Sequence, residues 1–581
     1  MKKAYIYSKV IAFALGTVAL MGCSDSFLDK EPDDRTEIIS VDDVIELFAG
    51  SYPDANYGWV CELSSDNVMD LNSVHLPASS NAKQEPTHYN LTSSGRQDDE
   101  MFRFEPVKSS TSSDTPAAIW TSFYASINSV NEGLLALDRL AEQPGFVADR
   151  KYNAAKAEGL LIRAYDHFIL VNCFSQAYKN DELSKLDIGV PYLTKPITTV
   201  DDNYDRSNVT DTYKRIQADL EEGLRLVSDM NYKMPKWHFT AEAAHAFAVR
   251  FYLYTRQWDK AIEHADAVLG TNNETLLTRM FDYAVLDDLS LLSDFANAWQ
   301  SPYIYSNIML LDTYSTIQRK CRYRYGQGSL VARAVFYHRS PMWSSTTSYM
   351  SGNPTIFVSG LGGNGYGTYY PAWISEQFQY SDKVAGIGYA HTIRREFTYA
   401  ETLLSRAEAK LMKGDLTGAE DDIITYQKGT QKFSEKTKNS YGAMLNPLTH
   451  DMIMSWFAKN TDDNYNCFDD WNFVTNMSPD YIIPAAAVPY MNCVNYFRRF
   501  ETNFTGLRFF DLKRWGMEYS HEYGLNNEVY YMKWNDPRRA LEVPEDAIAS
   551  GLQPSRPLTV DSTKTEQVII PANKIDVAFN E

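Results

Sequence analysis

Cysteine is scarce in this chain of 581 residues, with six in all. Cys23 stands alone near the start, and Cys61, Cys173, Cys321, Cys467 and Cys493 are an odd set at wide spacings with no C-x-x-C pair. That pattern argues against a disulfide scaffold and against a zinc ribbon or finger. Positive charge is short as well. Lys and Arg number 55 against 75 Asp and Glu, a formal net charge of −20. A phosphate backbone calls for a basic stripe, so this balance speaks against nucleic-acid binding and against lying flat on an anionic leaflet. Beyond the first 22 residues no apolar run reaches the roughly 20 residues that cross a bilayer. The chain also lacks a G-K-[ST] phosphate loop, a G-x-S-x-G elbow and an H-E-x-x-H pair. Its one G-x-G-x-x-G match, Gly360 to Gly365, is followed by Tyr-rich sequence and Pro371 instead of an apolar helix, and reads as a turn or flexible loop.

What is present begins at the N-terminus. Lys2 and Lys3 precede an apolar run from Val10 to Met21, which ends at Gly22-Cys23 before polar Ser24-Asp25-Ser26. The run is too short to span a membrane stably and suits a secretory leader. A cysteine directly after a small residue turns that reading towards a lipoprotein: residues 1–22 form the leader, Cys23 is the lipidated first residue, and 23–36 are a tether. Several acyl chains together hold a soluble body at a membrane where one would not.

The rest, 37–581, reads as a folded body, 44% hydrophobic and 22% charged. Helical spacing dominates its first half. Trp120, Phe123, Tyr124, Ile127, Val130, Leu134 and Leu137 share a face, as do Ala157, Leu160, Leu161, Ala164, Phe168 and Val171. Two helical hairpins follow. One pairs Phe247, Phe251 and Tyr254 with Ala261, Ala265 and Leu269, and the other pairs Leu403, Ala407 and Leu411 with Ala419 and Ile423 across Gly414-Asp415. Small residues facing large ones are the packing device of tetratricopeptide-like repeats. Between the hairpins, from about 271 to 390, periodicity is intermittent and Gly, Ser, Tyr and Trp are frequent. A long segment of that kind inside a folded body predicts a functional, loop-rich lobe.

Several blocks then carry a family resemblance in order along the chain. They are Cys23-Ser24-Asp25-Ser26-Phe27-Leu28-Asp29, Trp120-x3-Tyr124-x2-Ile127-x3-Asn131, and Ala157-Glu158-Gly159-Leu160-Leu161-Ile162-Arg163-Ala164-Tyr165 with Gly189-Val190-Pro191. Then come Arg406-Ala407-Glu408-Ala409 with Gly414-Asp415, Gly506-Leu507-Arg508-Phe509-Phe510-Asp511-Leu512-Lys513-Arg514-Trp515-Gly516, and Ile569-Ile570-Pro571. The chain resembles the SusD/RagB family of surface nutrient-binding lipoproteins of Bacteroidetes. It departs from the family before the Gly-x-Arg block, where Glu501 fills only part of the usual Glu-Arg-x-x-Glu approach. The resemblance implies a mostly α SusD-like fold of irregular tetratricopeptide-like helix pairs supporting the lobe. It implies a non-enzymatic protein, without cofactor or metal, lipid-anchored at the outer-membrane surface. Such proteins capture an oligo- or polysaccharide and deliver it to a SusC-like TonB-dependent transporter. An oligopeptide-binding lid of a RagAB-like system is the alternative.

Sugars stack their C–H faces on aromatic rings while polar side chains take the hydroxyls. The chain holds 39 Tyr, 28 Phe and 11 Trp. The expected platform is Trp299, Tyr303 and Tyr305, then Tyr323, Arg324 and Tyr325, then Tyr337 and Trp343. An early-loop cluster adds Tyr52, Tyr57 and Trp59 near Asp66 and Asn67. Trp299, Tyr325 and Trp343 lead this set, ahead of Trp59. Packing within the lobe is the bland reading for each. Arg508 and Asp511, three apart on a helix, are expected to be structural. A surface glycosidase would need two carboxylates across a cleft, for which Asp469-Asp470 beside Trp471 is the one suggestive pair. His238 and His245, seven apart, read as ordinary packed or surface residues.

Overall fold

The computed structural model describes residues 38–73, 91–107, 112–197, 204–282, 292–328, 357–361, 367–430, 448–457, 480–526 and 528–556, with Val331 and Val335. Within these, helices form the body. α1 (Val41–Ala49) starts at a reciprocal cap in which Ser40 and Asp43 satisfy each other's backbone N–H groups. After α2 (Gly58–Leu63) and α3 (Arg96–Phe102) come two long helices, α4 (Pro116–Ala141) and α5 (Arg150–Phe174). Thr115 caps α4 with Pro116 in its first turn, and Asp149 caps α5. α6 (Val209–Leu226) packs along α5, and α7 (Ala241–Tyr254) on α8 (Trp258–Leu269).

α5 is the central helix. Every residue from Ala157 to Phe174 is buried, because α4, α6 and α1 cover it from different sides. Its apolar residues therefore occur all round, as the physics of an enclosed helix requires. Phe48 of α1 fills a notch between Gly133 of α4 and Gly159 of α5. A Cβ on Gly133 would lie 2.3 Å from the Phe48 ring, and one on Gly159 2.7 Å. Glycine at these two places is what lets α1 lie down on the pair.

Beyond α9 (Leu292–Gln300) the chain builds a sheet. β2 (Asn307–Tyr314), β6 (Gln377–Asp382) and β7 (Ile387–Thr398) form an antiparallel sheet in the order β2-β7-β6. The other sheets are two-stranded: β1 (Met69–Asp70) with β3 (Tyr325–Gly326), β4 (Phe357–Leu361) with β5 (Gly367–Pro371), and β8 (Tyr519–Tyr523) with β9 (Glu528–Met532). The described part of the mid-chain region is thus organised on a sheet where sequence periodicity indicated mainly loops. The reason lies in β7, whose buried stretch contains Arg394, Arg395 and Glu396. A strand that buries charge gives no apolar alternation to read.

Thr398 ends β7 and caps α10 (Tyr399–Lys413), which joins α11 (Leu416–Thr430) through Gly414 at φ 83°. α12 (Val488–Glu501) and α13 (Leu507–Trp515) close the body.

Buried ion pairs fasten these pieces together. Arg250 of α7 reaches Glu396 at 2.6 Å and Glu401 at 2.7 Å, and Arg394 pairs with Glu396 while stacking on Tyr57. Asp511 accepts from Arg498 and Arg514, and Arg514 continues to Glu408, which also accepts from Trp515 and Tyr481. Each charge is paired and hydrogen-bonded, the condition for burying it. The Gly506–Gly516 block is therefore scaffold. Arg508 leaves Asp511 to other partners and bonds Asp66 and Asn495. Glu501 accepts from Tyr426 and lies 3.7 Å from Arg395.

Candidate functional site

Most of the expected platform is interior. Trp299 is 0% exposed, stacked on Phe281 with ring centroids 3.6 Å apart, edge-on to Trp373 at 4.9 Å, and under the Arg395 guanidinium at 4.5 Å. Tyr325 is buried against Phe102, with its hydroxyl donated to Asp99. Arg324 is committed to Asp70 at 2.7 Å and to Asp99. Trp59 is buried and donates its indole N–H to Asp98 at 2.9 Å.

The early polar candidates are spent in the same way. Asp66 is bonded to Arg508, with Arg499 nearby, and although burial works against ionisation these two cations hold its carboxyl well below the usual range. Asn67 is fully buried between Glu62 and Arg499. Tyr52 and Tyr57 donate to Glu158 and Glu396. These residues have their faces and polar atoms occupied within the protein, so they are corrected from platform to core. Trp343, Tyr337 and the Asp469-Asp470-Trp471 group lie outside the described residues, as do Cys23 and most of the G-x-G-x-x-G loop.

Tyr303, Tyr305 and Tyr323 are exposed, the first two by 81% and 79%. They belong to a wider set. Among the described residues, the exposed large aromatics are Tyr303, Tyr305, Tyr314, Tyr323, Phe378 and Tyr380, and all lie in the mid-chain region.

The sheet organises part of this set. In an antiparallel pair, directly opposed residues point to the same face. Tyr314 and Gln377 both oppose His391, and Gln379 opposes Tyr389, so these five share one face, with Asp312 two residues before Tyr314. Tyr314 and Tyr389 meet edge-to-face at 4.6 Å, and His391 Nδ1 lies 2.5 Å from Asp312. The hydrogen bond with Tyr389 is the largest influence on the Tyr314 hydroxyl, which is pushed up to about 12 with help from Asp54 and Asp312. Phe378 and Tyr380 alternate to the opposite face, edge-to-face with each other at 4.9 Å.

The early loop borders this sheet. The N–H of Tyr314 donates to Asp54 at 2.7 Å, Asn56 donates to Thr313 at 3.0 Å, and Asp54 is fixed by Ser122. Chemically the face offers ring edges and faces, two carboxylates, an imidazole and amides, all held by strand pairing. Behind β7 a narrow cleft of about 20 Å³, partly open to solvent, is lined by Asn56, Trp373, Thr392, Arg394, Arg395 and Phe504. That is far too small for a ligand pocket, whereas the sheet face is open and suited to an extended ligand. Sequence reading missed Tyr314, Tyr389, His391, Phe378 and Tyr380. The available signal was the alternation Phe378, Tyr380 and Tyr389, His391 around Asp382-Lys383.

Residues 26–253 match a SusD-like family described as starch-binding and associating with the outer membrane. The matched segment is under half of the chain, which is similar to the SusD-like family there. Its fold agrees. A SusD superfamily protein from Bacteroides thetaiotaomicron is 15% identical, with 89% of this chain and 100% of that one covered at a TM-score of 0.54. A putative sugar-binding protein from Bacteroides vulgatus is 16% identical over 90% and 99% of the two chains, at 0.52. Another SusD superfamily protein from Bacteroides vulgatus gives 15% identity, 89% and 98% coverage, and 0.51. No curated protein matches the chain. Among the described residues no helix is long and apolar enough to cross a membrane.

Proposed function

We propose that this SusD-like protein is a cell-surface glycan-binding lipoprotein, anchored through Cys23 to the outer membrane, that captures an oligo- or polysaccharide for a SusC-like TonB-dependent transporter. One observation carries the ligand reading: the exposed aromatics of the described body are confined to the mid-chain region, six of them between 303 and 380. A water-facing protein does not ordinarily gather its exposed rings in one region unless they meet something. The match of residues 26–253 to a family described as starch-binding, and the fold shared with a putative sugar-binding protein, support a carbohydrate as that partner. Residues 37–581 act as one body, with the 271–390 region presenting the ligand surface.

The platform assigned here is Tyr314 and Tyr389, with Asp54, Asp312, Gln379 and His391 taking hydroxyls, while Tyr303, Tyr305 and Tyr323 are further exposed rings of the region and Phe378 and Tyr380 offer a second ring pair on the opposite sheet face. Each ring contributes about 0.5–1.5 kcal/mol beyond area burial, so single sugars bind weakly and several units are needed. An oligopeptide is the second reading. It is favoured by β6, an exposed strand at the edge of its sheet, because an extended peptide can add to such an edge by backbone pairing.

The test is a binding panel of neutral and charged polysaccharides alongside mixed peptides, run on wild type and on Tyr303→Ala, Tyr305→Ala, Tyr314→Ala and Tyr380→Ala. Glycan binding weakened more than tenfold in at least one variant, at unchanged thermal stability, is expected. Normal binding in all four overturns the platform, and peptide binding without glycan binding overturns the ligand class. Co-purification of a barrel protein with the lipidated chain from native membranes tests the transporter partnership.

A further inference from the structure

The helix pair α7/α8 carries a feature that ligand capture at the mid-chain surface does not use. His245 of α7 and His264 of α8 face each other with their Nδ1 atoms 2.9 Å apart and ring centroids 5.1 Å apart. Two imidazole nitrogens at that distance share one proton, so one ring presents a lone pair to the other. Both rings are half-buried. His264 is backed by Tyr252, parallel to it within 4° at 5.2 Å, which fixes the imidazole plane. Tyr252 is itself held by its hydroxyl bond to Glu221 and by Lys260 lying 4.8 Å over its ring. The carboxylate of Glu263, beside His264, acts on both imidazoles, and that of Glu221 on His264; Lys260, paired to Glu221 at 2.9 Å, is the opposing charge.

We propose that His245 and His264 form a site for one late first-row divalent cation, of the Zn2+ type, bound between the two Nδ1 atoms. Zn–N bonds of about 2.0–2.1 Å in a tetrahedral site place two ligand nitrogens roughly 3.3 Å apart. The pair therefore needs to open by only a few tenths of an ångström, within the reach of a small χ rotation. Imidazole suits zinc, copper and nickel and not calcium or magnesium. The proton shared between the Nδ1 atoms moves to the Nε2 of its own ring through solvent, so the cation binds two neutral imidazoles with no net proton released.

Among the described residues no group of three or more His, Cys, Asp or Glu is already placed around a metal position. The protein thus supplies two nitrogens, and water fills the remaining positions. A bound ion would tie α7 to α8 directly.

The experiment titrates chelator-treated, tag-free full-length chain with Zn2+ against a chromophoric competitor. One equivalent should bind, with His245→Ala and His264→Ala each weakening it at least tenfold and Glu263→Gln a few-fold, while Ca2+ and Mg2+ do not compete. Equal Zn2+ affinity in wild type and His264→Ala, or no stoichiometric binding by wild type, overturns the site. Should the alanine variants misfold, Cu2+ bound to wild type gives an electron paramagnetic resonance spectrum that must show coupling to two nitrogens. A spectrum with none sinks the proposal.

Discussion

Replacing Trp299 with alanine separates the two roles open to a tryptophan in a glycan-binding lobe. Its ring is fully buried, stacked on Phe281, edge-on to Trp373 and beneath Arg395. Truncating a buried aromatic of this size costs about 3–5 kcal/mol. Two aromatic pairs worth about 0.5–1.5 kcal/mol each, and a desolvated cation–π contact worth about 2 kcal/mol, place Trp299→Ala near the top of that range, about 5 kcal/mol. Tyr314, in contrast, is 39% exposed, and among the described residues its ring meets one other ring, Tyr389. Tyr314→Ala is expected to cost about 1 kcal/mol or less, in keeping with substitutions at partly exposed positions. Urea denaturation followed by tryptophan fluorescence and circular dichroism reads both, with glycan affinity measured on the folded fraction. The expected pattern is a large fall in midpoint for Trp299→Ala with normal affinity in what remains folded, and the reverse for Tyr314→Ala. A Trp299→Ala protein within about 1 kcal/mol of wild type that has lost glycan binding would refute the assignment of this ring to the core.

Other consequences follow from the packing and the charges. Gly133→Ala should cost about 1–3 kcal/mol as overpacking against Phe48, and combining it with Phe48→Leu should recover part of the loss in the same denaturation assay. Asp66 is held below the ordinary carboxylate range by Arg499 and Arg508 against the opposing effect of burial. Between the folded and unfolded pKa values the unfolded chain binds the extra proton. Its contribution is therefore complete above about pH 4 and lost as pH falls further, and Asp66→Asn should flatten the acid limb of a stability–pH profile. Cys23→Ser should abolish lipid labelling and release the chain from the outer membrane with its melting curve unchanged, as membrane fractionation would show.

Helices were legible in the sequence because their burial is one-sided or their caps are local. Thr115 with Pro116, Asp149, and Gly414 at the α10–α11 turn act through neighbours within a few residues, and the 3.6-residue period of α4 and α8 records the faces the structure buries, while α7 and α10 are enclosed nearly all round. The acidic balance, the scarcity of cysteine and the ordered family blocks likewise needed no coordinates. The sheet and the ligand surface did. β7 buries Arg394, Arg395 and Glu396, whose counter-charges and ring partners come from α7, α9, α12 and the early loop, so no local pattern marks it as a strand. Asp66 reads as a free polar residue until Arg508, 442 positions away, arrives to claim it. Aromatic residue type is the same for Trp299 and Tyr303, one wholly enclosed and the other 81% exposed. Which ring faces water is decided by what packs over it, and the residues that do so are brought there only by the tertiary fold.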